Sequence, residues 1–93
     1  MTSQVRASHI LVDDKDKAEN LLEQFENGKS FSQLAKEASE CPSSEKGGDL
    51  GWFGKGKMAK PFEREAFDMD EGDVSDPVKT QFGWHLIKKT GEK

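Results

Sequence analysis

Hydrophobic side chains recur with a period of two near both ends of the chain, which predicts β-strands. Residues 5–12 place apolar groups on both faces of the alternation: Val5, Ala7, His9 and Leu11 on one, Arg6, Ser8, Ile10 and Val12 on the other. This distribution is typical of an inner strand that is covered on both sides. Residues 84–89 repeat the pattern, with Trp84 and Leu86 on one face and His85 and Ile87 on the other.

Between these strands the hydrophobic period becomes helical. One apolar stripe follows Asp13 and Asp14, whose carboxylates predict a helix start, and it ends at Asn27-Gly28; its members are Ala18, Leu21, Leu22 and Phe25. Ser30 and Gln33 form a capping-box pattern for a second helix that Pro42 closes, with an inner face of Phe31, Leu34, Ala35 and Ala38. Pro61 suits the first turn of a third helix, which turns Phe62, Ala66 and Phe67 inward.

The remaining segments complete the order of elements. Residues 50–53 read as a short strand, and residues 77–81 as an edge strand because Pro77 cannot donate to a ladder. The composition of residues 42–49 predicts a solvated loop, and residues 68–76 read as acidic and turn-like. The resulting order βααβαββ predicts an α+β fold, with helices packed over a mixed or antiparallel sheet.

Composition and charge narrow the class of protein. The 93 residues predict one domain spanning 1–93, with residues 1–4 expected to be flexible. The net charge of −4 argues against nucleic acid as a partner, and no apolar run is long enough to span a membrane. We also see no secretory signal pattern, so we expect a soluble, cytoplasmic monomer. Cys41 is the single cysteine, which excludes an internal disulfide and a multi-cysteine zinc site.

His9, His85 and Cys41 are the side chains with the most chemical potential. They fit three alternatives: a zinc site, a nucleophilic Cys-His dyad, or a hydrogen-bond network beneath a binding pocket. No short-spaced ligand pair supports zinc, and no surrounding signature supports a nucleophile. A strand histidine and a lone cysteine are also common as ordinary core residues.

Four large apolar residues are candidates for a pocket: Leu50, Met58, Phe62 and Phe82. Core packing is the alternative, but Met58 follows a glycine-rich loop and Phe82 precedes Gly83 at a turn, where apolar groups tend to line recesses. Basic residues also cluster in this half of the chain, at Lys46, Lys55, Lys57, Lys60 and Arg64. Solubility is the plainer interpretation of this cluster, and contact with an anionic membrane surface is the alternative.

Six ordered stretches resemble the parvulin-type peptidyl-prolyl cis/trans isomerases, over about residues 5–89. They are Ser8-His9-Ile10-Leu11-Val12; Phe31-x-x-Leu34-Ala35-x-x-x-Ser39-Glu40-Cys41; Gly47-Gly48-Asp49-Leu50-Gly51-Trp52-Phe53-x-x-Gly56-x-Met58; Pro61-Phe62-Glu63-x-x-Ala66-Phe67; Gly72-Asp73-Val74-Ser75-x-Pro77-Val78; and Thr80-x-Phe82-Gly83-Trp84-His85-Leu86-Ile87. The resemblance implies a βα₃βαβ₂ fold, with a four-stranded antiparallel sheet and four helices. The fourth helix would fall within residues 68–74.

The resemblance also implies a site. His9 and His85 would sit side by side in the centre of the sheet, beneath the site. Cys41 would occupy the position where members carry Cys or Asp, and Thr80 would complete the hydrogen-bond network. Leu50, Met58 and Phe62 would hold the substrate proline, and Phe82 would extend the apolar wall. Neither a metal nor another cofactor is implied, and the substrates would be proline-containing peptides and unfolded or partly folded proteins. The alternative is a proline-binding or chaperone module that does not catalyse.

Two departures refine this expectation. Phosphate-directed members carry a basic cluster in a long loop after the first strand, whereas this loop is short and holds Asp13 and Asp14. We therefore expect no preference for phosphorylated residues before proline. Trp84 stands where Tyr is common, a conservative change in packing. The chain thus most resembles the small stand-alone prokaryotic parvulins.

Overall fold

Four strands and three α-helices form the chain in the computed structural model, which describes residues 2–93. In chain order they are β1 (Gln4–Val12), α1 (Lys15–Glu26), α2 (Phe31–Ala38), a 3₁₀ helix (Pro42–Lys46), β2 (Asp49–Gly54), α3 (Lys60–Asp68), β3 (Val78–Thr80) and β4 (Gly83–Glu92). The strands make one sheet in the order β2-β1-β4-β3, and every neighbouring pair is antiparallel. The predicted α+β fold with a four-stranded antiparallel sheet is confirmed.

The two end strands lie at the centre of the sheet, as their apolar character on both faces predicts. Their register pairs His9 with Ile87 and Leu11 with His85. Of the terminal residues expected to be flexible, Met1 lies outside the described residues, and Gln4 is already the first residue of β1. The backbone N–H groups of Ser3 and Gln4 both donate to the carbonyl of Lys93.

Each face of the sheet carries its own hydrophobic core. Helices α1 and α2 cover one face, where the buried residues are Ile10, Val12, Ala18, Leu21, Phe31, Leu34, Ala35 and Leu86. Helix α3 covers the other, where they are Val5, Ala7, Phe53, Phe62, Ala66 and Ile87. Since each central strand contributes alternate residues to both cores, a shift of one residue in register would exchange the two sets. The register of the two central strands is therefore strongly specified by the two cores.

Local capping sets the helix starts as predicted. The Asp14 side chain accepts from the N–H of Asp16 at 2.8 Å, and Ser30 Oγ accepts from the N–H of Gln33 at 3.2 Å. Helix α2 nevertheless ends at Ala38, before the expected break at Pro42. Beyond it, the hydroxyl of Ser39 accepts from the N–H of Leu11, which ties this segment to β1.

Two predictions about the connecting segments were wrong. Residues 42–46 are not a loop but the 3₁₀ helix, with Pro42 in its first turn. The fourth helix is absent from residues 68–74 beyond the end of α3, because that segment runs along β4: the N–H of Gly72 donates to Lys89 O, and Val74 bridges Lys88. Backbone groups paired with a strand cannot also make helical bonds. The four helical elements are thus three α-helices and the 3₁₀ helix.

The turn after the 3₁₀ helix brings the chain against β1 close to His9. The N–H of His9 donates to the carbonyl of Gly48 at 3.0 Å. A Cβ atom added to Gly48 would collide with the carbonyl oxygen of His9, and the Gly48 backbone has a φ of 88°. Only glycine fits such a close approach at positive φ.

Among the described residues, no helix has the length and apolar character that a membrane crossing requires.

Candidate active site

Two buried histidines face each other across the central pair of strands. Their Nδ1 atoms are 2.9 Å apart, and their rings stack with centroids 5.1 Å apart and planes inclined by 19°. The register explains this contact, because His9 lies diagonally opposite His85 on the same face of neighbouring antiparallel strands. The sequence-based expectation that the two histidines lie side by side is met.

Thr80 extends the histidine pair into a network. Its Oγ1 lies 2.7 Å from His85 Nε2, and it also accepts from the N–H of Phe82 at 3.1 Å. The strand β3 thus holds the outer nitrogen of His85 and the start of the turn that carries Phe82. On the other side, His9 Nε2 is buried and has no hydrogen-bond partner within residues 2–93.

Burial keeps both histidines neutral. Desolvation, followed by the charge of His85, lowers the pKa of His9 from 6.5 to about 4. Desolvation alone lowers the pKa of His85 to about 4. The Nδ1–Nδ1 contact needs one donor and one acceptor, so it excludes the state in which both rings are protonated. At neutral pH the pair therefore shares one proton across this contact and carries no net charge.

An apolar cavity of about 270 Å³ opens above the histidines. Its walls are His9, Leu11, Cys41, Leu50, Met58, Ala59, Phe62, Phe82 and His85. The Phe62 ring stands edge-on to both imidazoles, with centroids 5.6 Å from His9 and 5.2 Å from His85. Because the cavity is at the small end of ligand sites, it suits a compact apolar ring better than an extended ligand.

The structure brings together the eight site residues that the sequence analysis named. Seven of the eight candidates line the cavity, and Thr80 lies behind His85. Sequence reasoning missed Leu11 and Ala59. The alternation of β1 places Leu11 on the face of His9 and could have found it. Ala59, by contrast, precedes α3 without any local signal.

Cys41 belongs to the cavity wall and not to the histidine network. Its backbone N–H donates to Ser39 Oγ, and no hydrogen bond within residues 2–93 joins its thiol to His9 or His85. The same described residues hold no group of three potential metal ligands. Of the three alternatives open from the sequence, the geometry favours a hydrogen-bond network beneath a pocket.

Phe82 forms the most exposed wall of the cavity. It lies in the turn between β3 and β4, and 64% of its surface is accessible. Gly83 permits this turn, since a Cβ there would lie 2.6 Å from the carbonyl oxygen of Val12 at a φ of 139°. A large exposed aromatic side chain held at the mouth of an apolar cavity is suited to contact a ligand.

The basic residues singled out in the sequence lie outside the cavity walls. Lys55, Lys60 and Arg64 border a separate groove along α3, together with Glu63, Phe67 and Asp68. Lys46 ends the 3₁₀ helix. The hydrogen bond from Arg6 is the main cause of the lowered pKa of Asp49, and the charge of Lys46 adds to it. The groove therefore carries both signs of charge.

Comparison with known proteins decides the family. The family described as the PPIC-type PPIase (rotamase) domain matches residues 8–91. The chain belongs to this family of peptidyl-prolyl isomerases. The predicted resemblance to the parvulins is thereby confirmed.

Individual relatives agree with this assignment. The chain is 52% identical to the foldase protein PrsA of Bacillus subtilis, covering 100% of this chain and 32% of that protein. A crystal structure of PrsA from Bacillus anthracis superimposes with a TM-score of 0.97 at 44% identity, covering 99% of this chain and 43% of the other. The solution structure of NmPin, the parvulin of Nitrosopumilus maritimus, gives a TM-score of 0.87 at 43% identity and covers 98% and 99% of the two chains. The chain thus spans about a third of the curated PrsA foldase relatives and nearly all of a small parvulin.

Proposed function

We propose that this chain catalyses cis/trans rotation about X–Pro peptide bonds in the cavity above His9 and His85. The observation that carries the proposal is an apolar cavity of about 270 Å³ whose floor is a neutral, buried histidine pair. Such a site accepts a proline ring and presents no net charge to the amide. The family assignment supports the same reaction.

Rotation about an amide bond requires a binding site of the right shape but no reactive side chain. Amide rotation faces a barrier of about 18–20 kcal/mol from the partial double bond, and no covalent bond has to break. An enzyme therefore accelerates it by binding the twisted amide better than either planar isomer. In the twisted state the nitrogen and carbonyl lose conjugation. Moving the twisted amide from water into an apolar site therefore loses less solvation free energy than moving the planar amide. A barrier lower by about 5 kcal/mol gives about 10³–10⁴-fold acceleration.

Each side chain has a role in this proposal. Leu50, Met58 and Phe62 clamp the proline ring, which leaves the preceding carbonyl free to turn. Phe82 extends the apolar wall over the neighbouring residue. The rings of His9 and His85 form the rigid floor.

The polar members of the site support that floor. Thr80 holds His85 through its 2.7 Å contact. Cys41 contributes shape and polarity to the wall and forms no covalent intermediate. The reaction is thus non-covalent and needs no cofactor.

The substrate class follows from the same features. We propose unphosphorylated proline-containing segments of unfolded or partly folded proteins, since Asp13 and Asp14 follow β1 where a phosphate would need cations. PrsA relatives are named foldases, which supports protein-folding substrates. With a net charge of −4, nucleic acid is a poor partner.

The predicted cytoplasmic location and monomeric state stay predictions. A chain with one cysteine forms no internal disulfide, so the fold itself requires neither an oxidising nor a reducing compartment. Membrane contact through Lys46, Lys55, Lys57 and Lys60 also stays a prediction. The carboxylates of Glu63 and Asp68 in the groove beside Lys55 and Lys60 favour solubility as the role of these lysines.

A matched pair of phenylalanine variants tests the proposal. Phe62 and Phe67 belong to the same core, but only Phe62 reaches the cavity. We expect Phe62→Leu to lower the catalysed exchange rate of an X–Pro peptide at least tenfold, and Phe67→Leu to leave it near the wild-type value. NMR exchange spectroscopy gives the rate, and urea unfolding gives the folded fraction of each variant.

Two results would contradict the proposal. One is an equal loss of rate in both variants after correction for the folded fraction. The other is peptide binding by the wild-type protein without faster exchange, which would identify a non-catalytic proline-binding module. Met58→Ala provides a second cavity variant if Phe62→Leu fails to fold.

A further inference from the structure

The ladder between β1 and β2 covers the first half of β1. It ends where Ser8 pairs with Asp49, and just beyond it the N–H of His9 donates to the carbonyl of Gly48. Leu11 is the next residue whose backbone N–H and carbonyl face this edge, because these groups alternate between the two edges of a strand. Beyond His9, the edge of β1 therefore needs hydrogen-bond partners from another part of the chain.

The segment that follows α2 supplies these partners. The N–H of Leu11 donates to Ser39 Oγ at 3.0 Å, and the carbonyl of Leu11 accepts from the N–H of Glu40 at 2.7 Å. The Glu40 carboxylate in turn accepts from the N–H of Asp13 at 3.0 Å. This segment thus completes the edge of β1 beyond its pairing with β2, with a serine hydroxyl in the place of a strand carbonyl.

The hydroxyl of Ser39 also holds a second residue of the cavity. Ser39 Oγ accepts from the N–H of Cys41 at 3.3 Å, in addition to the N–H of Leu11. Leu11 and Cys41 both line the cavity above the histidines and together form what we term the Leu11–Cys41 wall. One oxygen atom therefore joins two wall residues that are distant in the chain.

Ser39 is itself anchored to the hydrophobic core and not to the cavity. It is the C-terminal cap of α2, and its N–H donates to the carbonyl of Ala35 at 3.0 Å. Ala35 is fully buried in the core beneath α1 and α2. Ser39 does not line the cavity, so an effect of its hydroxyl on a bound peptide has to pass through Leu11 and Cys41.

We propose that Ser39 is a positioning residue for X–Pro isomerisation, because its hydroxyl holds the Leu11–Cys41 wall against the substrate. This inference rests on the proposed function, since it concerns the walls of the same cavity. The proposed proline clamp is built on β2, the loop after it and α3, so it does not depend on this hydroxyl. Loss of the hydroxyl should therefore impair turnover more than substrate binding, because a displaced wall fits the twisted amide less well.

Two substitutions of Ser39 test this role. Ser39→Ala removes the acceptor of two backbone N–H groups. We expect kcat for an X–Pro peptide to fall about tenfold and KM to change by less than about twofold. Ser39→Thr keeps the hydroxyl on an extended backbone that suits a β-branched residue, so kcat should return to within about twofold of the wild-type value. Exchange spectroscopy of the full chain over a range of peptide concentrations gives both constants.

Ser30→Ala is the matched control, because it removes a hydroxyl from the other end of the same helix. Ser30 Oγ accepts from the N–H of Gln33 at 3.2 Å, and neither residue lines the cavity. Both alanine variants lose a hydroxyl that accepts from the backbone, so both should lose stability. Only Ser39→Ala should lower kcat after correction for the folded fraction, which urea unfolding provides.

The reactivity of the Cys41 thiol reports the position of the wall without any need for catalysis. Cys41 is the single cysteine, so iodoacetamide labels this position alone. We expect labelling of folded Ser39→Ala to be about fivefold faster than that of the wild type, because the Cys41 N–H has lost its acceptor and the wall opens more often. Ser39→Thr and Ser30→Ala should be labelled at the wild-type rate.

The outcomes separate this inference from the proposed function. An unchanged kcat in folded Ser39→Ala would overturn the inference, and so would an equal loss in Ser30→Ala, because the effect would then come from α2 as a whole. Failure of Ser39→Thr to restore kcat, or equal labelling of Cys41 in all variants, would also count against it. If Ser39→Ala does not fold, Ser39→Cys replaces it in the kinetic test, since sulfur is a weak acceptor and the same fall in kcat is expected. Absence of catalysed exchange by the wild-type protein would instead overturn the proposed function, and this inference with it.

Discussion

The neutral histidine pair predicts that the protein loses stability as the pH falls from 7 to 5. Both imidazoles have a folded pKa of about 4, below the ordinary value of 6.5 that they regain on unfolding. Between these values the unfolded chain binds more protons than the folded chain. Stability therefore rises with pH in this window and is lost on acidification.

The magnitude follows from the two pKa values. A shift from 6.5 to about 4 costs about 2 kcal/mol of unfolding free energy per histidine between pH 7 and pH 5. The pair together costs about 4 kcal/mol if both stay neutral in the folded state, a large part of the stability of a small domain. The carboxylates of Asp13, Asp49 and Glu92 have lowered pKa values, so their contributions are lost at more acidic pH. Histidine is the side chain whose ordinary pKa lies between pH 5 and 7, and the chain has only these two.

Urea unfolding at pH 7, 6 and 5, followed by tryptophan fluorescence, measures this loss directly. NMR titration of the two histidine ring resonances gives their pKa values without any variant that risks unfolding. We expect the urea midpoint to fall with pH while both rings remain neutral down to about pH 5. Equal midpoints at pH 7 and 5, or a histidine that titrates near 6.5, would refute the reasoning.

Three further substitutions probe the site and its support. Cys41→Asp should retain most of the isomerase activity, because the thiol is outside the histidine network; complete loss in a folded variant would contradict this role. Thr80→Val should lower the unfolding free energy by about 1–3 kcal/mol and slow catalysis, because it leaves His85 Nε2 unpaired. Thr80→Ser should restore both stability and rate. If urea unfolding and exchange spectroscopy show no change in the Val variant, the network has no such role. Lys89→Ala should lower the unfolding free energy by about 2–4 kcal/mol in urea unfolding, because the Lys89 side chain is 1% exposed and donates to Met69 O at 2.8 Å. The activity of the folded protein should not change. A loss of stability below about 0.5 kcal/mol would show that this buried contact is dispensable.

Local signals predicted much of the fold. The apolar groups on both faces of residues 5–12 predicted a central strand, and the side chains of Asp14 and Ser30 do cap α1 and α2. These features depend on neighbouring residues and on a period of two or 3.6, so the sequence displays them directly.

The two errors in the fold concern contacts between distant parts of the chain. After α3, the chain makes a turn over residues 70–73, as its composition predicted, and does not form a further helix because Gly72 and Val74 pair with β4, more than ten residues further on. The 3₁₀ helix leads into Gly48, which packs against the backbone of His9. Composition marked both segments only as polar and turn-like, since it carries no information on such partners.

The site was predictable in its members more than in its geometry. The residues alone left a zinc site, a nucleophilic dyad and a polar network open for His9, His85 and Cys41. Resemblance to the parvulins favoured the network, and the 2.9 Å Nδ1–Nδ1 contact then defined it. That contact depends on the register of β1 against β4, which no local pattern specifies.

Catalysed exchange of short X–Pro peptides is the most direct test of the account. Exchange NMR with catalytic amounts of the protein should show faster cis/trans interconversion on unphosphorylated peptides, with no gain when the residue before proline is phosphorylated. Perturbed line shapes without faster exchange would contradict catalysis and leave a proline-binding module, with His9 and His85 as structural residues. Acceleration confined to phosphorylated peptides would contradict the assigned substrate class.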